Sequence, residues 1–277
     1  MTKFLLLGSS GLLGNSFYND LILSETDLVF YPTRNELDVT DSKALKRFIS
    51  ETSPDVIINC TGYNFVDKAE LDEEHEACYE LNVNVPKNLA ILSDDIGFKL
   101  VHFSSDYVFD GELTQGYIET DPTSPINFYG STKAMSEQAV MQNCDNFIIQ
   151  RISGLFGPSK NNFVTYIATE LRRGNTVKVV SDQVSNPTYS IDVVKATFDL
   201  VANHESGLFH TPNEDSVSWY ELALEIAAVL KVSESLVIPI SSTELNRLAK
   251  RPKCSILKNS RYIPLRSHLS ALEEFLT

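Results

Sequence analysis

Tyr129 and Lys133 are the residues of this sequence whose types and spacing most directly suggest acid–base chemistry. They stand four positions apart in segment 125–137, PINFYGSTKAMSE, and in a helix they share one face. An ammonium near a phenol favours the phenolate, so we expect Lys133 to lower the Tyr129 pKa. Such a phenol can donate a proton to a ketone oxygen while a hydride arrives from a nicotinamide. We expect Lys133 also to bond the nicotinamide ribose.

A hydroxyl group for the same chemistry is available in segment 102–111, HFSSDYVFDG. Ser105 stands at the predicted carboxyl end of a strand, which is where ligands bind in open α/β sheets. Its hydroxyl is placed to bond a substrate carbonyl beside Tyr129. A serine alone at a strand end is more often turn chemistry, so the prediction depends on the combination with Tyr129 and Lys133.

A glycine-rich turn at the start of the chain predicts where a dinucleotide binds. The apolar run Lys3–Leu7 is followed at once by GSSGLLG, residues 8–14. Glycines let the chain turn off a strand, let backbone N–H groups approach a pyrophosphate, and let the next helix pack closely on the sheet. The spacing GxxGxxG departs from the usual GxGxxG fingerprint. The cofactor contacts predicted here are Gly8, Ser10, Gly11, Leu12, Leu13 and Gly14.

The region of the second strand indicates which dinucleotide fits. An NAD-binding protein is expected to carry an acidic residue about 20 residues past the glycines, where it bonds the ribose hydroxyls. Here the sequence runs from Phe30 through Arg34 with no acid before Glu36. Arg34 is placed to meet a 2′-phosphate, which favours NADPH, and NADH is left open as a second cofactor. Further cofactor contacts are expected at Asp38, Val39, Thr61, Gly62 and Tyr63.

These residues require a parallel sheet that brings strand ends together. Short apolar runs at 27–31, 55–59, 98–103 and 146–150 alternate with amphipathic stretches such as 42–52 and 74–94, the second expected to break or kink at Pro86. This alternation predicts a doubly wound α/β (Rossmann) domain over residues 1–150. Residues 151–277 are expected to form a smaller substrate lobe over the carboxyl edge of the sheet. Helical stretches are expected at 189–203, 219–230 and 269–275, and elements near 185–210 are expected to return to the first domain.

Composition excludes several classes of protein. The net charge of −14 argues against nucleic acid and against an anionic membrane as partners, and no apolar stretch reaches the roughly 18 residues of a membrane span. The run Lys3–Leu7 is too short for the apolar part of a secretory leader. The four scattered cysteines indicate free thiols in a reducing compartment, so we expect a cytoplasmic protein without a metal site. A homodimer is left open.

Taken together, the motifs resemble those of the extended short-chain dehydrogenase/reductases, and most of all the dTDP-4-dehydrorhamnose reductase branch. The similarity lies in segments 8–14, 36–41, 59–70, 102–111 and 125–137, and it continues through Arg151, segment 182–188 and Arg251-Pro252. The resemblance implies a catalytic triad of Ser105, Tyr129 and Lys133. It also implies NADPH-dependent reduction of a nucleotide-linked 4-keto deoxysugar, held in the lobe. The substrate contacts that it implies are Ser105, Asp106, Tyr129, Gly154 and Asn162.

Two departures from the family pattern matter for the site. A family tryptophan near the sugar is replaced by Gly154, which predicts a wider pocket. A carboxylate that holds a metal between subunits in some members is replaced by Ser16, so no metal is carried over. A sugar dehydratase is disfavoured because Tyr107 stands where its second acid is expected. Two alternatives stay open: a nucleotide-sugar epimerase, and a non-catalytic NADP-binding regulatory subunit like the beta subunit of methionine adenosyltransferase.

Overall fold

A computed structural model describes residues 1–23, 26–159 and 161–277. Its strands, in chain order, are β1 Lys3–Leu7, β2 Leu28–Phe30, β3 Val56–Asn59, β4 Lys99–Ser105, β5 Phe147–Ile152, β6 Leu155–Phe156, β7 Val177–Val180, β8 Val184–Ser185, β9 Thr188–Tyr189, β10 Gly207–His210, β11 Val217–Ser218 and β12 Val237–Ile240. Its α-helices are α1 Leu12–Leu21, α2 Ser42–Thr52, α3 Asp72–Tyr79, α4 Val85–Ile96, α5 Phe128–Asn143, α6 Phe163–Arg172, α7 Ser190–Ala202, α8 Trp219–Leu230 and α9 His268–Leu276.

The central sheet has six parallel strands in the order β10-β5-β4-β3-β1-β2. From β1 the chain passes to β2 on one side, and β3 then forms on the other side of β1. The connections that leave the carboxyl ends of β1 and β3 therefore run to opposite sides, which makes a topological switch point, where doubly wound sheets bind ligands. This architecture confirms the predicted fold class.

Both faces of the sheet are covered, which explains why its strands read as continuous apolar runs. In β1, Leu5 and Leu7 face a core completed by α2, α4 and α5. The alternate residues Phe4 and Leu6 face a second core, completed by α1 and α7. Because α7 and β10 join the sheet after residue 185, the carboxyl-terminal half contributes directly to the first domain.

A third core lies away from the sheet, in the carboxyl-terminal half. It packs α6, α8 and α9 against the two-stranded pair of β7 and β12, with Ile167, Leu222, Ile226 and Leu272 buried at its centre. This unit is the lobe of the structure. The division of the chain at residue 150 stays a prediction.

The helical segment 72–96 does not break at Pro86, where a break or a kink was expected. α3 runs into α4 through a π-helical turn at Glu80–Asn84, and Pro86 lies in the first turn of α4. Proline has no N–H to donate and crowds the carbonyl four residues earlier, and the wider π turn accommodates both effects without ending the helix. Among the described helices, none combines the length and the apolar character needed to cross a bilayer.

Candidate active site

The switch point opens into a cleft made of two adjoining cavities. The first, which we call the turn cavity, has a volume of about 920 Å³ and is bounded by the glycine turn, segment 32–40 and α3. The second, the lobe cavity, has a volume of about 670 Å³ and reaches from the ends of β3 and β4 to the lobe. The two share Gly11, Cys60, Thr61 and Asn64. An elongated ligand can therefore lie in both at once.

The glycine turn is shaped by two glycines and left open by a third. Gly8 has φ +81, and an added Cβ would lie 2.9 Å from the Cys60 backbone. At Gly14 a Cβ would lie 2.0 Å from the Gly8 oxygen, so this glycine lets α1 pack on the turn itself and not, as predicted, on the sheet. At Gly11 a Cβ would meet only the Gly8 oxygen, at 3.4 Å, and would otherwise enter the cleft.

The start of α1 is suited to an anionic group. Its N-cap is Gly11, which offers no side-chain hydrogen bond to the first turn. The first N–H groups of a helix have no partner within the helix and carry partial positive charge. The residues present therefore fit a dinucleotide pyrophosphate, with Ser10, Leu12 and Leu13 also on the cavity walls.

Arg34 lies on the rim of the turn cavity as the one cation among the described residues that line it. The Glu36 carboxylate is turned away, because it accepts the backbone N–H and the hydroxyl of Thr33, both at 2.8 Å. Asp38 lies on the same rim; hydrogen bonds from Thr40 lower its pKa, and the Arg34 charge lowers it further. The arrangement favours an added phosphate near Arg34, although Glu73, Glu76 and Glu80 make the opposite wall acidic.

Most of the other predicted cofactor residues also lie on the cleft. Val39, Thr61 and Gly62 line the turn cavity, whereas Tyr63 lines neither cavity. The Tyr63 backbone N–H donates to Asn82 Oδ1 at 2.8 Å, and its hydroxyl donates to Glu74 at 2.9 Å. Tyr63 is thus held behind the cleft, and its side chain does not line the cavity in which a cofactor contact was expected. Gly14 is likewise buried behind the turn.

The reacting groups are brought together by close packing of α5 on the turn after β4. A Cβ on Gly130 would lie 2.1 Å from the Tyr107 oxygen, so the absence of a side chain there lets the helix approach. α5 begins after Asn127, whose side chain accepts the Gly130 N–H at 2.7 Å. Tyr129, in the first turn, is thereby held next to Ser105, and both line the lobe cavity. Lys133 lines it as well, with Nζ donating to the Phe103 carbonyl at 3.0 Å.

The pKa of Tyr129 does not follow the sequence-based expectation. Burial raises it above the ordinary value, the Asp106 charge raises it further, and the Ser105 hydroxyl opposes this only in part. Lys133, whose Nζ lies 6.0 Å from the centre of the phenol ring, does not outweigh these effects, so the net lowering expected from the sequence does not occur. The phenol is therefore protonated at neutral pH, which is the form that a proton donor requires.

Two further groups of the lobe cavity have displaced pKa values. Burial lowers the pKa of Lys133 to about 8, partly opposed by Cys78, Glu137 and Cys60, so it is still mostly protonated at pH 7. Burial raises the pKa of Asp106 to about 6, against hydrogen bonds from Ser255 and Ser105. The Ser105 hydroxyl donates to Asp106 Oδ1 at 2.9 Å. Asp106 therefore orients Ser105 as well as lying on the cavity wall.

Gly154 and Asn162 also line the lobe cavity. Backbone conformation accounts for the glycine, and hydrogen bonds hold the asparagine in place. Gly154 has φ +52, and a Cβ would lie 3.0 Å from the Asn186 oxygen, so the position suits glycine for backbone reasons. Asn162 is the N-cap of α6: its Oδ1 accepts the Thr165 N–H at 3.1 Å and its Nδ2 donates to the Gly157 carbonyl at 2.9 Å. Asn162 thus shapes the wall through its capping bonds.

Sequence reasoning did not single out several residues that line the lobe cavity. They come from segments far apart in the chain, and the available signal was only that some fall in stretches with family resemblance. They include Phe163, Gln183, Ser185, Trp219, Arg251 and Ser255. Within the described residues, no group of three or more His, Cys, Asp or Glu side chains is placed to hold a metal ion. Ser16 donates to the Ser190 hydroxyl at 2.8 Å.

Comparisons with known proteins agree with this geometry. The family model named RmlD substrate binding domain matches residues 2–276. The probable dTDP-4,6-dihydroxy-2-methyloxan-3-one 4-ketoreductase of Streptomyces antibioticus is 34% identical over 98% of this chain and 94% of its own length. The dTDP-4-dehydrorhamnose reductase of Aggregatibacter actinomycetemcomitans is 34% identical over 93% and 90%. The crystal structure of a Bacillus anthracis dTDP-4-dehydrorhamnose reductase in complex with NADP superposes with a TM-score of 0.94 at 31% identity, covering 99% of this chain and 98% of that one.

Proposed function

The chain belongs to the RmlD substrate binding domain family, and on that premise we propose that it is an NADPH-dependent reductase of a dTDP-linked 4-keto deoxysugar. The observation that carries the proposal is the convergence of Ser105, Tyr129 and Lys133 in the lobe cavity, which adjoins the glycine turn. Relatives named as reductases of dTDP sugars match nearly the full length of the chain. The resemblance predicted from the motifs is thereby confirmed at the level of the family.

The reaction divides naturally between the cofactor and the chain. NADPH, when bound, supplies a hydride for the carbonyl carbon. The Ser105 hydroxyl donates to Asp106 Oδ1 at 2.9 Å in this structure; with substrate bound, its one proton would turn to the substrate carbonyl and orient it beside Tyr129. The buried and protonated Tyr129 phenol donates its proton to the carbonyl oxygen, and the ketone becomes an alcohol. The Lys133 ammonium favours the phenolate that is left until it regains a proton.

The cofactor would be held by the chain's own groups along the cleft. Gly11 and the uncapped start of α1 suit the pyrophosphate, Arg34 suits a 2′-phosphate, and Lys133 suits the ribose next to the reacting ring. The structure in complex with NADP among the neighbours supports this choice of dinucleotide. A cytoplasmic location and a homodimer remain parts of the proposal; the first is supported by the four free thiols.

The experiment that tests the proposal is NADPH oxidation by the purified protein with dTDP-4-dehydrorhamnose, followed at 340 nm. We expect sustained turnover by the wild type. We expect Tyr129→Phe to bind NADPH normally and to lose about a hundredfold or more in kcat, since general acid catalysis contributes roughly 10² to 10⁴. NADPH binding without turnover would instead indicate a regulatory subunit. A change in the sugar without net NADPH oxidation would indicate an epimerase.

A further inference from the structure

Ser255 lies in a carboxyl-terminal segment whose backbone is bonded on two sides. On one side, the Ser255 N–H donates to the Val184 carbonyl of β8 at 2.9 Å, and the Val184 N–H donates to the Lys253 carbonyl at 2.8 Å. On the other side, the Tyr117 N–H, in the loop that follows β4, donates to the Ile256 carbonyl at 2.8 Å. The backbone that carries the Ser255 side chain is therefore fixed between β8 and this loop.

The Ser255 hydroxyl reaches the Asp106 carboxylate, which is thereby held by two serines. Ser255 Oγ donates to Asp106 Oδ2 at 2.5 Å, and Ser105 Oγ donates to Asp106 Oδ1 at 2.9 Å. Ser255 and Asp106 are both buried, and all three side chains line the lobe cavity. Burial raises the pKa of Asp106 to about 6, and the bond from Ser255 opposes this rise more than the bond from Ser105 does. Both bonds therefore stabilise the ionised carboxylate, and Ser255 contributes more.

The Ser105 hydroxyl has one proton but two acceptors that need it. In the free protein the proton goes to Asp106 Oδ1, and in the proposed reaction it turns to the substrate carbonyl. The turn takes a donor away from a buried carboxylate, which costs free energy. The bond from Ser255 goes to the other oxygen, Oδ2, so it can persist through this step. It therefore lowers the cost of turning Ser105 towards the substrate.

We propose that Ser255 is a positioning residue that holds the Asp106 carboxylate and so releases the Ser105 hydroxyl to the substrate. This inference rests on the proposed function, which assigns the Ser105 hydroxyl to the substrate carbonyl. Without Ser255, the carboxylate would depend more strongly on Ser105, and the reacting hydroxyl would be less free to turn. Because Ser255 is bonded to β8, which pairs with β11 at the start of α8, the position of Asp106 is also tied to the lobe.

Steady-state kinetics with NADPH and dTDP-4-dehydrorhamnose at about pH 7.5 test the contribution of Ser255. We expect Ser255→Ala to lose about tenfold in kcat/KM, the effect of removing one hydrogen bond to a charged group. The Kd for NADPH should stay close to the wild-type value, because Ser255 lies outside the turn cavity. Ser260→Ala is the matched control: its hydroxyl also donates to a carboxylate, Glu119 Oε2, but neither residue lines a cavity. It should keep wild-type kinetics.

A pH profile separates this role from a general loss of structure. Below its pKa Asp106 is uncharged, and an uncharged carboxyl group tolerates the loss of a donor better than a carboxylate does. The advantage of the wild type over Ser255→Ala in kcat/KM should therefore shrink from about tenfold at pH 7.5 to about threefold or less at pH 5.5. A tenfold loss that is the same at every pH would overturn the proposal.

The other titratable groups around Asp106 change little over this pH range. Burial raises the pKa values of Tyr107, in the same turn, and of Tyr129, on α5, far above it. Lys133 on α5 has a pKa of about 8 because of burial, and Arg251 of the carboxyl-terminal segment, which lies beside Tyr107, is charged throughout. These groups are present in both proteins, so the ratio of the two kcat/KM values removes their common effect.

A double-mutant cycle tests whether Ser255 acts through Asp106. Asp106→Asn keeps the shape of the side chain and removes the charge that the hydroxyls stabilise. We expect this variant to be slower than the wild type, and we expect Ser255→Ala to cost less than about twofold more when it is added to Asp106→Asn. A further tenfold loss in that background would overturn the proposal, because Ser255 would then act on the substrate directly.

The outcomes separate this proposal from the function on which it rests. Wild-type turnover that Ser255→Ala retains in full at every pH would overturn the role of Ser255 and leave the reductase intact. A wild-type protein that binds NADPH but does not reduce the sugar nucleotide would contradict both the reductase and the role of Ser255.

Discussion

The glycine turn makes a prediction in which stability and cofactor binding respond to different substitutions. At Gly14 a Cβ would lie 2.0 Å from the Gly8 oxygen and 2.7 Å from its carbon, more than an ångström inside ordinary contact. Gly14→Ala must therefore move the turn or the helix. Overpacking of this kind costs about 1–3 kcal/mol, and the helix propensity of alanine returns about 0.5–1 kcal/mol.

At Gly11 the local backbone does not resist a side chain. Its φ is −74, and a Cβ would meet the Gly8 oxygen at an ordinary 3.4 Å. Serine is a favourable N-cap residue, so Gly11→Ser should keep the fold. Its hydroxymethyl group would, however, occupy the cleft at the start of α1. Lengthening a single charge-assisted hydrogen bond there costs about 1.5 kcal/mol or more, which is roughly tenfold in affinity.

Because the clash is with backbone atoms, we expect the upper end of this cost, about 2 kcal/mol net, so that Gly14→Ala lowers Tm by about 4–8 °C at about 2–4 °C per kcal/mol for a large domain. We expect Gly11→Ser to keep Tm within about 2 °C and to raise the Kd for NADPH roughly tenfold. Differential scanning fluorimetry without cofactor and calorimetric titration with NADPH measure the two quantities. Wild-type NADPH affinity in Gly11→Ser would refute the assignment of this turn as the pyrophosphate site, and an unchanged Tm in Gly14→Ala would refute the packing argument.

Three further predictions concern single residues. Arg34→Ala should weaken NADPH binding by about tenfold or more and NADH binding little, in calorimetric titrations of both cofactors; equal losses would make Arg34 only a surface charge. Because burial lowers the pKa of Lys133 to about 8 and the side chain is charged below it, NADPH affinity should fall as pH rises through 8, and Lys133→Arg should move that fall upward by at least a pH unit. A binding profile that is flat from pH 7 to 9.5 would show that the Lys133 ammonium does not contribute to NADPH binding. Gly154→Ala, at φ +52, should cost about 1–2 kcal/mol in urea unfolding, whereas no loss would mean that the backbone there relaxes freely.

Local signals were sufficient to predict some elements closely. α2 runs from Ser42 to Thr52 as predicted, because Asp41 accepts the N–H groups of Lys43 and Ala44 at its start and Ser53 ends it in a left-handed conformation. All of these determinants lie within a dozen residues of sequence. In contrast, the sequence predicted a break or a kink at Pro86, and not the π turn at Glu80–Asn84 through which the helix continues.

The active site likewise combines features that the sequence predicts with features that depend on tertiary packing. Ser105, Tyr129 and Lys133 were predictable because strand ends and helix faces follow from sequence periodicity. The direction of the Tyr129 pKa was wrong, because burial and the Asp106 charge outweigh a lysine four residues away, and neither can be read from spacing. Gln183 and Trp219 were not predicted as neighbours, since a pairing of only two residues in each strand brings β8 to β11.

Transfer of hydride from NADPH to the sugar is the central claim, and isotope labelling tests it most directly. The wild-type protein is incubated with dTDP-4-dehydrorhamnose and NADPH that carries deuterium at the transferable position, and the product sugar is analysed by mass spectrometry and NMR. The account predicts one deuterium on carbon 4, with one NADPH consumed for each product molecule formed and almost none of either with Tyr129→Phe. A product sugar without deuterium, or one formed with no net loss of NADPH, would contradict it.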